Sequence, residues 1–145
     1  MKIEQFNNIT IAYMRHIGEY GPKNKEFMET FKQFLNDQNL FNDQSVILGI
    51  ALDNPTTIPA NALRYDVGII IEKDKPDNLN IRKIDDGKYA IFEVTHTAQE
   101  VQAFWHNIAH LTANLSIDYD KPIIERYAVE KINQHLCEFC IPLKS

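Results

Sequence analysis

The sequence predicts an α+β fold built from two pseudo-symmetric modules, each with the order strand, helix, strand, strand. Short runs of alternating or continuous apolar residues are typical of strands, and two longer segments place their apolar residues on one helical face. The same order of segments occurs in both halves of the 145-residue chain. We therefore expect a single domain over residues 1–145, with modules at about 1–75 and 80–145.

The first module begins with an alternating strand at residues 9–17, which ends in a turn rich in glycine and proline. Apolar residues then recur at helical spacing over residues 24–38. Two more strands are predicted at residues 46–52 and 63–71, separated by a turn at Asp53-Asn-Pro55. The polar segment that follows, residues 72–80, is predicted to be a loop.

The second module repeats this order with a strand at residues 88–95 and a helix at 98–114. Thr97 is the predicted N-cap of that helix because its hydroxyl can accept a backbone hydrogen bond from the first turn. Strands at residues 123–129 and 137–143 complete the module. The predicted buried stripe of the helix consists of Val101, Phe104, Trp105, Ile108, Leu111 and Leu115.

The two halves can be superposed strand by strand. Residues 11–14 correspond to 89–92, and residues 65–69 correspond to 137–141. In the remaining pair of strands Gly49 corresponds to Glu125, so one half carries a carboxylate where the other has no side chain. A residue needed for folding alone could occur in either half, and this asymmetry favours a functional role for Glu125.

Glu125 lies on a predicted strand, where alternation puts it on the same face as Tyr127. An uncompensated buried carboxylate costs several kcal/mol, so it must be protonated, paired with a base, or available to a cation. Two readings are therefore open: a structural ion pair, for which Arg15 and Arg64 are candidate partners, or one wall of a binding site. Arg126 faces away from Glu125 on the same strand.

Composition excludes several classes of function. The net charge is −5 and no run of Lys or Arg is present, which argues against direct nucleic-acid binding. No apolar stretch approaches the length of about 20 residues that spans a bilayer, and the N-terminus lacks a signal sequence. We expect a cytoplasmic protein without a cofactor and without membrane contact.

Metal and redox sites are not expected. Cys137 and Cys140 lie three positions apart on a predicted strand, so their side chains should face opposite sides of the sheet. His106 and His110 have the helical spacing of zinc ligands, but they lie opposite the apolar stripe and Asn107 replaces the glutamate of a zinc hydrolase.

Several motifs resemble the GyrI-like small-molecule-binding family, which also occurs as the effector-binding domain of AraC- and MerR-type regulators. They are spread over nearly the whole chain in the family's order. The motifs are Asp53-x-Pro55, Arg64-Tyr-Asp-Val, Gly87-Lys-Tyr-Ala-Ile-Phe92, Trp105, Tyr119, Pro122-Ile-Ile-Glu-Arg-Tyr127 and Ile141-Pro-Leu143.

The resemblance implies that the sheets of the two modules face a shared ligand cleft, with the helices outside. It also implies that Glu125 of the Pro-x-x-Glu-x-Tyr motif contacts organic cations in that cleft, with aromatic side chains around it. This chain lacks a second tryptophan later in the helix, and Leu52 precedes Asp53 where relatives often have tyrosine. The predicted ligand-binding residues are Glu125, Tyr127, Trp105, Tyr65, Tyr119, Phe92, Tyr13 and Phe139, although core packing is the better explanation for Phe92 and Phe139 and nearly as good a one for Trp105.

The leading functional prediction is a stand-alone module that binds amphipathic, cationic small molecules for multidrug-type sensing or sequestration. No catalytic residue is assigned under that reading. The alternatives are a hydrolase of electrophilic small molecules that uses Glu125 and Tyr127, or a protein that interacts with DNA gyrase. A protein partner that reads out ligand binding is left open.

Overall fold

The computed structural model describes residues 1–72 and 76–145. Over these residues the chain forms a mixed α+β fold of eight strands, two main helices and a short third helix. The strands are β1 (Lys2–Phe6), β2 (Thr10–Ile17), β3 (Val46–Ala51), β4 (Arg64–Ile71), β5 (Asn80–Lys83), β6 (Gly87–Thr95), β7 (Ile124–Ala128) and β8 (Leu136–Pro142). The helices are α1 (Pro22–Asp37), α2 (Ala98–Leu111) and the short α3 (Val129–Ile132).

All eight strands belong to a single antiparallel sheet with the order β1-β6-β8-β7-β3-β4-β2-β5. The first half of the molecule contributes β2, β3 and β4, and the second half contributes β6, β7 and β8. These two sets of three meet where β3 pairs with β7, so the sheet is continuous across the seam. Outward from that seam, equivalent strands of the two halves follow in the same order: β3, β4 and β2 on one side and β7, β8 and β6 on the other.

The strand register at the seam is the one that a two-fold axis requires. Gly49 lies directly opposite Glu125, and these are the positions that the superposed halves make equivalent. A two-fold axis that passes between β3 and β7 at this pair also relates the other residues that the superposed halves make equivalent. The corresponding pairs further out are Val67 with Phe139 and Met14 with Phe92.

The outermost strands cross between the halves. β1 precedes β2 in the chain but pairs with β6, while β5 precedes β6 and pairs with β2. Each half therefore supplies an edge strand to the other, which ties the two halves together at both ends of the sheet. Neither strand was predicted, because each is short and gains its place through pairing with a distant segment.

Both main helices pack on the sheet face that carries Glu125. Met28, Phe31 and Leu35 of α1 pack with buried residues of β2, β3 and β4. Phe104 of α2 packs with residues of β6 and β8, including Phe139. α1 begins at Pro22, a residue suited to the first helical position, and the hydroxyl of Thr97 accepts a hydrogen bond from the Glu100 amide at the start of α2.

The opposite face of the sheet carries its own apolar core. Phe6, Leu48, Ile124 and Cys140 belong to it, and none exposes more than a few per cent of its surface. Because the sheet is buried on both faces, its central strands read as nearly continuous apolar runs.

The structure confirms the α+β class and the two helices and six strands predicted from the sequence, to within a few residues at their ends. The predicted loop at residues 72–80 ends where β5 begins, and residues 73–75 lie outside the described residues. The predicted burial of Trp105 and Leu111 is wrong: their exposed fractions are 40% and 42%. Only a narrow side of α2 packs against the sheet, and Trp105 and Leu111 lie at the edge of that packed side. None of the helices in the described residues has the length and apolar character needed to cross a membrane.

Candidate functional site

A cavity of about 640 Å³ lies on the helix-bearing face of the sheet, between the two halves. Its floor includes Tyr65 and Glu125 from the central strands. One wall comes from α2, and the segment that leads from α2 to β7 closes the cavity beside Pro122. A cavity between the two modules is therefore present, but it lies on one face of a single continuous sheet, with the helices beside its opening, and not between two facing sheets with the helices outside.

A larger open groove, of about 800 Å³, lies at the other end of β3 and β4. The described residues that line it, among them Leu40, Val46 and Ile70, include no aromatic side chain. The smaller cavity holds both a carboxylate at its floor and aromatic rings, so it is the better candidate site.

Glu125 is held at the seam between the two halves by close packing with Tyr65 and Gly49. The Tyr65 hydroxyl donates a 2.9 Å hydrogen bond to Glu125 Oε1. A Cβ atom at position 49 would lie 2.6 Å from Glu125 Oε1 and 2.5 Å from Tyr65 Oη. The absence of a side chain at Gly49 therefore makes the space in which the carboxylate and the hydroxyl meet.

The same geometry explains why the carboxylate occurs in one half of the molecule. Residues 49 and 125 are directly opposite on neighbouring strands, and their side-chain positions face the same cavity. Two full side chains would compete for one space on the axis. The asymmetry seen in the sequence is therefore a requirement of the packing at this pair.

Among the described residues, no basic side chain forms an ion pair with Glu125, and the candidate partners are engaged elsewhere. Arg15 pairs with Asp66 and Arg64 pairs with Asp53. Arg126, on the far face of β7, pairs with Glu4 and Glu138. The structural ion pair considered for Glu125 is therefore not formed.

Burial is the main influence on Glu125 and raises the pKa of its carboxyl above the ordinary value of 4.5. The hydroxyls of Tyr65 and Tyr127 act in the opposite direction, because they stabilise the ionised form. The same burial, together with the nearby carboxylate, raises the pKa of both tyrosines, so they remain neutral hydrogen-bond donors.

Trp105 forms an aromatic wall of the cavity. Its ring packs edge-on against Phe139 at 5.1 Å between centroids and against Phe104 at 5.4 Å. Phe104 and Phe139 are themselves stacked at 4.4 Å. The two phenylalanines thus fix the orientation of Trp105 while its exposed part borders the cavity.

Four of the eight predicted ligand-binding residues line the cavity: Glu125, Tyr65, Trp105 and Tyr119. Tyr119 is 84% exposed, which places it at the mouth. Tyr127 lies behind Glu125, packed between the residues that α1 and α2 bury, and Phe139 supports Trp105 from beneath.

The remaining two predicted residues lie elsewhere. Phe92 packs against Phe104 on the far side of α2, at 5.7 Å between ring centroids. Tyr13 is on the opposite face of the sheet, where the guanidinium groups of Arg15 and Arg82 lie 5.7 and 5.1 Å from its ring centre. Alternation along β2 fixes the face of Tyr13, but the sequence does not reveal which face carries the cavity.

Sequence reasoning missed two residues at the site. Gly49 appeared as the counterpart of Glu125, but its role in making room for the carboxylate depends on contacts with Tyr65 that no local pattern shows. Asn24, in the first turn of α1, lines the cavity, and its Oδ1 is buried without a hydrogen-bond partner among the described residues.

The charged residues around the cavity are mainly acidic. Asp53, Asp118 and Asp120 line it, and Arg64 neutralises the first of these. Lys121 is the single basic residue among the described residues of the lining, and its ammonium group donates to the Asp86 carbonyl at 3.2 Å.

The cysteines and helix histidines stand apart from the cavity. Cys137 and Cys140 are buried free thiols that belong to the cores on opposite faces of the sheet, as their spacing predicts. His106 and His110 are exposed on α2. Over residues 1–72 and 76–145, no group of three or more His, Cys, Asp or Glu side chains is arranged to hold a metal ion.

The fold and the cavity together are those of a small-molecule-binding domain made of two related halves, with a candidate site at the seam. The model of the GyrI-like small molecule binding domain matches residues 1–144, and the chain belongs to this family. YosT, a predicted transcriptional regulator derived from the SPbeta prophage of Bacillus subtilis (strain 168), is 41% identical over 148 residues, which cover 98% of this chain and 97% of that protein.

Solved structures share the fold at low sequence identity. The C-terminal domain of EcmrR has a TM-score of 0.71 and 8% identity, with 99% of this chain and 96% of that chain covered. SAV2435, solved with tetraphenylphosphonium bound, has a TM-score of 0.64 and 15% identity, with 99% and 93% covered. An integron cassette protein of Vibrio cholerae has a TM-score of 0.57 and 16% identity, with 99% and 95% covered.

Proposed function

We propose that the cavity binds amphipathic organic cations and that Glu125 supplies the negative charge that selects them. The observation that carries this proposal is the Glu125 carboxylate at the cavity floor, which has a tyrosine hydroxyl but no ion-pair partner among the described residues. A cation that enters the cavity provides the missing charge.

The balance of hydration favours organic cations over metal ions. A delocalised or alkyl-shielded cation is weakly hydrated, so it loses less on entering a partly apolar cavity than a compact ion does. Each aromatic face that it contacts adds roughly 0.5–2 kcal/mol. Trp105, Tyr65 and Tyr119 are placed to make such contacts, and they accept flat molecules of differing outline.

The relatives support this proposal and extend it to a sensing role. A structural neighbour, SAV2435, was solved with the lipophilic cation tetraphenylphosphonium. The 41% identical relative is named as a regulator of transcription. We therefore propose that the domain senses or sequesters its ligand, that it acts in the cytoplasm, and that it has no direct contact with nucleic acid.

The test is the binding of tetraphenylphosphonium and of a rhodamine-type dye, followed by calorimetry or fluorescence. Wild-type protein should bind at micromolar concentrations, and Glu125→Gln should weaken binding at least about tenfold, because the amide keeps the shape and removes the charge. Glu93→Gln, an acid-to-amide change outside the cavity, is the control. Equal affinity of the Glu125→Gln variant and the wild type would refute the assigned role.

A hydrolase is the second candidate function. Burial raises the pKa of Glu125 above its ordinary value, which makes its carboxylate a stronger base, and the Tyr127 hydroxyl acts on the same carboxylate. Turnover of a reactive cyclopropane-type substrate that disappears in both Glu125→Gln and Tyr127→Phe would support this function. If such substrates bind but no product forms, the hydrolase function is excluded and the binding function remains.

A further inference from the structure

Asn24 presents a buried hydrogen-bond acceptor that the protein does not use. Its side-chain Oδ1 has no partner among the described residues, and α1 carries the residue to the wall of the cavity that holds Glu125. An unsatisfied buried acceptor costs free energy and needs an explanation when it persists in a folded protein. At the wall of a binding cavity, a ligand that brings a donor is such an explanation.

The other asparagine on this cavity behaves differently. Asn54 Oδ1 accepts from the Thr56 amide at 2.9 Å and from the Thr56 hydroxyl at 2.7 Å. Its side chain is used to shape the loop after β3. Of the two cavity asparagines, Asn24 is thus the one whose acceptor is free, and Asn54 is the natural comparison.

We propose that Asn24 is a second recognition point, and that the cavity prefers cations that carry N–H donors, such as primary ammonium or amidinium groups. The inference rests on the proposed function, since Glu125 remains the counter-charge. One N–H of the ligand bonds to Glu125 and another to Asn24 Oδ1. Quaternary ammonium and phosphonium ions carry no N–H, so they gain from Glu125 and the aromatic rings but not from Asn24.

Asn24 acts through its hydrogen bond and not through charge. It is a neutral side chain, and the first turn of α1 contains no acidic residue that would attract a cation there. The contribution of Asn24 should therefore depend on the presence of a donor in the ligand and should be insensitive to the ligand's charge alone.

The experiment compares two probes that share one ring and one charge: (1-naphthylmethyl)ammonium, with three N–H donors, and (1-naphthylmethyl)trimethylammonium, with none. Titration calorimetry at pH 7 gives the affinity of each probe for wild-type protein and for Asn24→Ala. We expect Asn24→Ala to weaken the primary ammonium roughly tenfold, the size of one hydrogen bond to a charged group, and to change the trimethyl probe by less than about twofold.

Two further variants separate this inference from the proposed function. Asn54→Ala should leave the ratio of the two affinities unchanged, because its Oδ1 already accepts hydrogen bonds from Thr56. Glu125→Gln should weaken both probes. If Glu125→Gln has that effect while Asn24→Ala weakens both probes equally or neither, the role of Asn24 is overturned and the proposed function stands. If neither probe responds to Glu125→Gln, the proposed function itself fails.

A measurement without ligand provides an independent check. Removing an acceptor that has no partner removes its desolvation cost, so the melting temperature of Asn24→Ala should equal or exceed that of the wild type. A clear fall in melting temperature would show that Asn24 serves the empty fold, and it would overturn the assignment.

Discussion

The two faces of the sheet treat their acidic residues in opposite ways. On the face without helices, Asp66 is fully buried and bonds to both Arg15 and Arg82, while Glu138 is matched by Arg126. On the face with helices, Glu125 has tyrosine hydroxyls and no arginine among the described residues.

The difference is clearest along β7, where Glu125 and Arg126 are neighbours in sequence and point to opposite faces. Arg126 makes two ion pairs, with Glu4 and Glu138. The guanidinium group next to Glu125 in the chain is thus directed towards other acids, as are those of Arg15 and Arg64. A charge that serves the fold is neutralised within it, and a charge left without a partner at a cavity is available to a ligand.

Asp66→Asn should have the largest effect on stability. It leaves the guanidinium groups of Arg15 and Arg82 facing a neutral amide, and breaking buried pairs of this kind costs about 3–5 kcal/mol. Because both arginines are about 30% exposed, the loss should fall at or below the lower end of that range. Urea denaturation measures the free energy of unfolding, and Glu93→Gln, at a surface pair, should change it by less than about 1 kcal/mol.

Cation binding by the Asp66→Asn variant should be close to that of the wild type as long as the protein is folded. A loss of binding as large as that of Glu125→Gln would show that the two faces are not independent.

The two glycines of the central strands give a matched pair of substitutions on opposite faces. Gly49→Ala places a Cβ within 2.6 Å of Glu125 Oε1, whereas Gly68→Ala places one 2.9 Å from Ile11 and 3.0 Å from Tyr13. Both changes overpack the sheet and should cost about 1–3 kcal/mol of stability. Gly49→Ala alone should weaken cation binding, at least about tenfold, because it displaces the carboxylate and the Tyr65 hydroxyl.

Equilibrium binding of tetraphenylphosphonium to the two folded variants makes the comparison. Equal affinities would mean that the space at Gly49 has no part in positioning Glu125.

Glu125→Gln should stabilise the empty protein at neutral pH, the opposite of the effect at Asp66. Burial raises the pKa of Glu125, so the folded state binds the proton more tightly than the unfolded state. The free energy of unfolding of the wild type therefore falls as pH rises from about 4.5 to the raised pKa, by about 1.4 kcal/mol for each pH unit between these two values. The glutamine variant lacks this loss.

Denaturation of both proteins between pH 3.5 and 8, at roughly half-unit intervals, should show curves that coincide at the acidic end and diverge above about pH 4.5. A glutamine variant that is less stable than the wild type at pH 7 would contradict the account.

Tyr65→Phe should have the smallest effect of these substitutions, and the effect should be on cation affinity. It removes the hydroxyl that donates to Glu125, so the pKa of the carboxyl rises further and less of it is ionised in mildly acidic solution. We expect the affinity for tetraphenylphosphonium to fall by more at pH 6 than at pH 8. Tyr89→Phe, the same change on the opposite face, should leave affinity unaltered at both values.

Much of the fold follows from local patterns in the sequence. The six central strands and both main helices were predictable because each has a clear apolar period. The match between halves made Gly49 and Glu125 equivalent positions, but only the structure shows that they lie opposite each other on neighbouring strands. β1 and β5 could not be predicted in the same way. Each has five residues or fewer, and each is stabilised by a partner strand about 70–90 residues away.

The site was predictable in part. Glu125 stands out in the sequence because a carboxylate interrupts an apolar strand, and Trp105 and Tyr65 were identified with it. Tyr13 was predicted to contact the ligand but lies on the face opposite the cavity. Both faces of this sheet are buried, so alternation alone does not show which face carries the cavity. The contribution of Asn24 depends on an absent hydrogen bond, which no sequence pattern contains.

The most direct measurement is the titration of the Glu125 carboxyl by NMR in protein with ¹³C-labelled glutamate, using Glu125→Gln to assign the resonance. The pKa of the free protein should lie above 4.5 and should fall when tetraphenylphosphonium binds, because the cation stabilises the ionised form. A pKa at or below 4.5 in the free protein, unchanged by the ligand, would contradict the claim that this carboxylate awaits a cation.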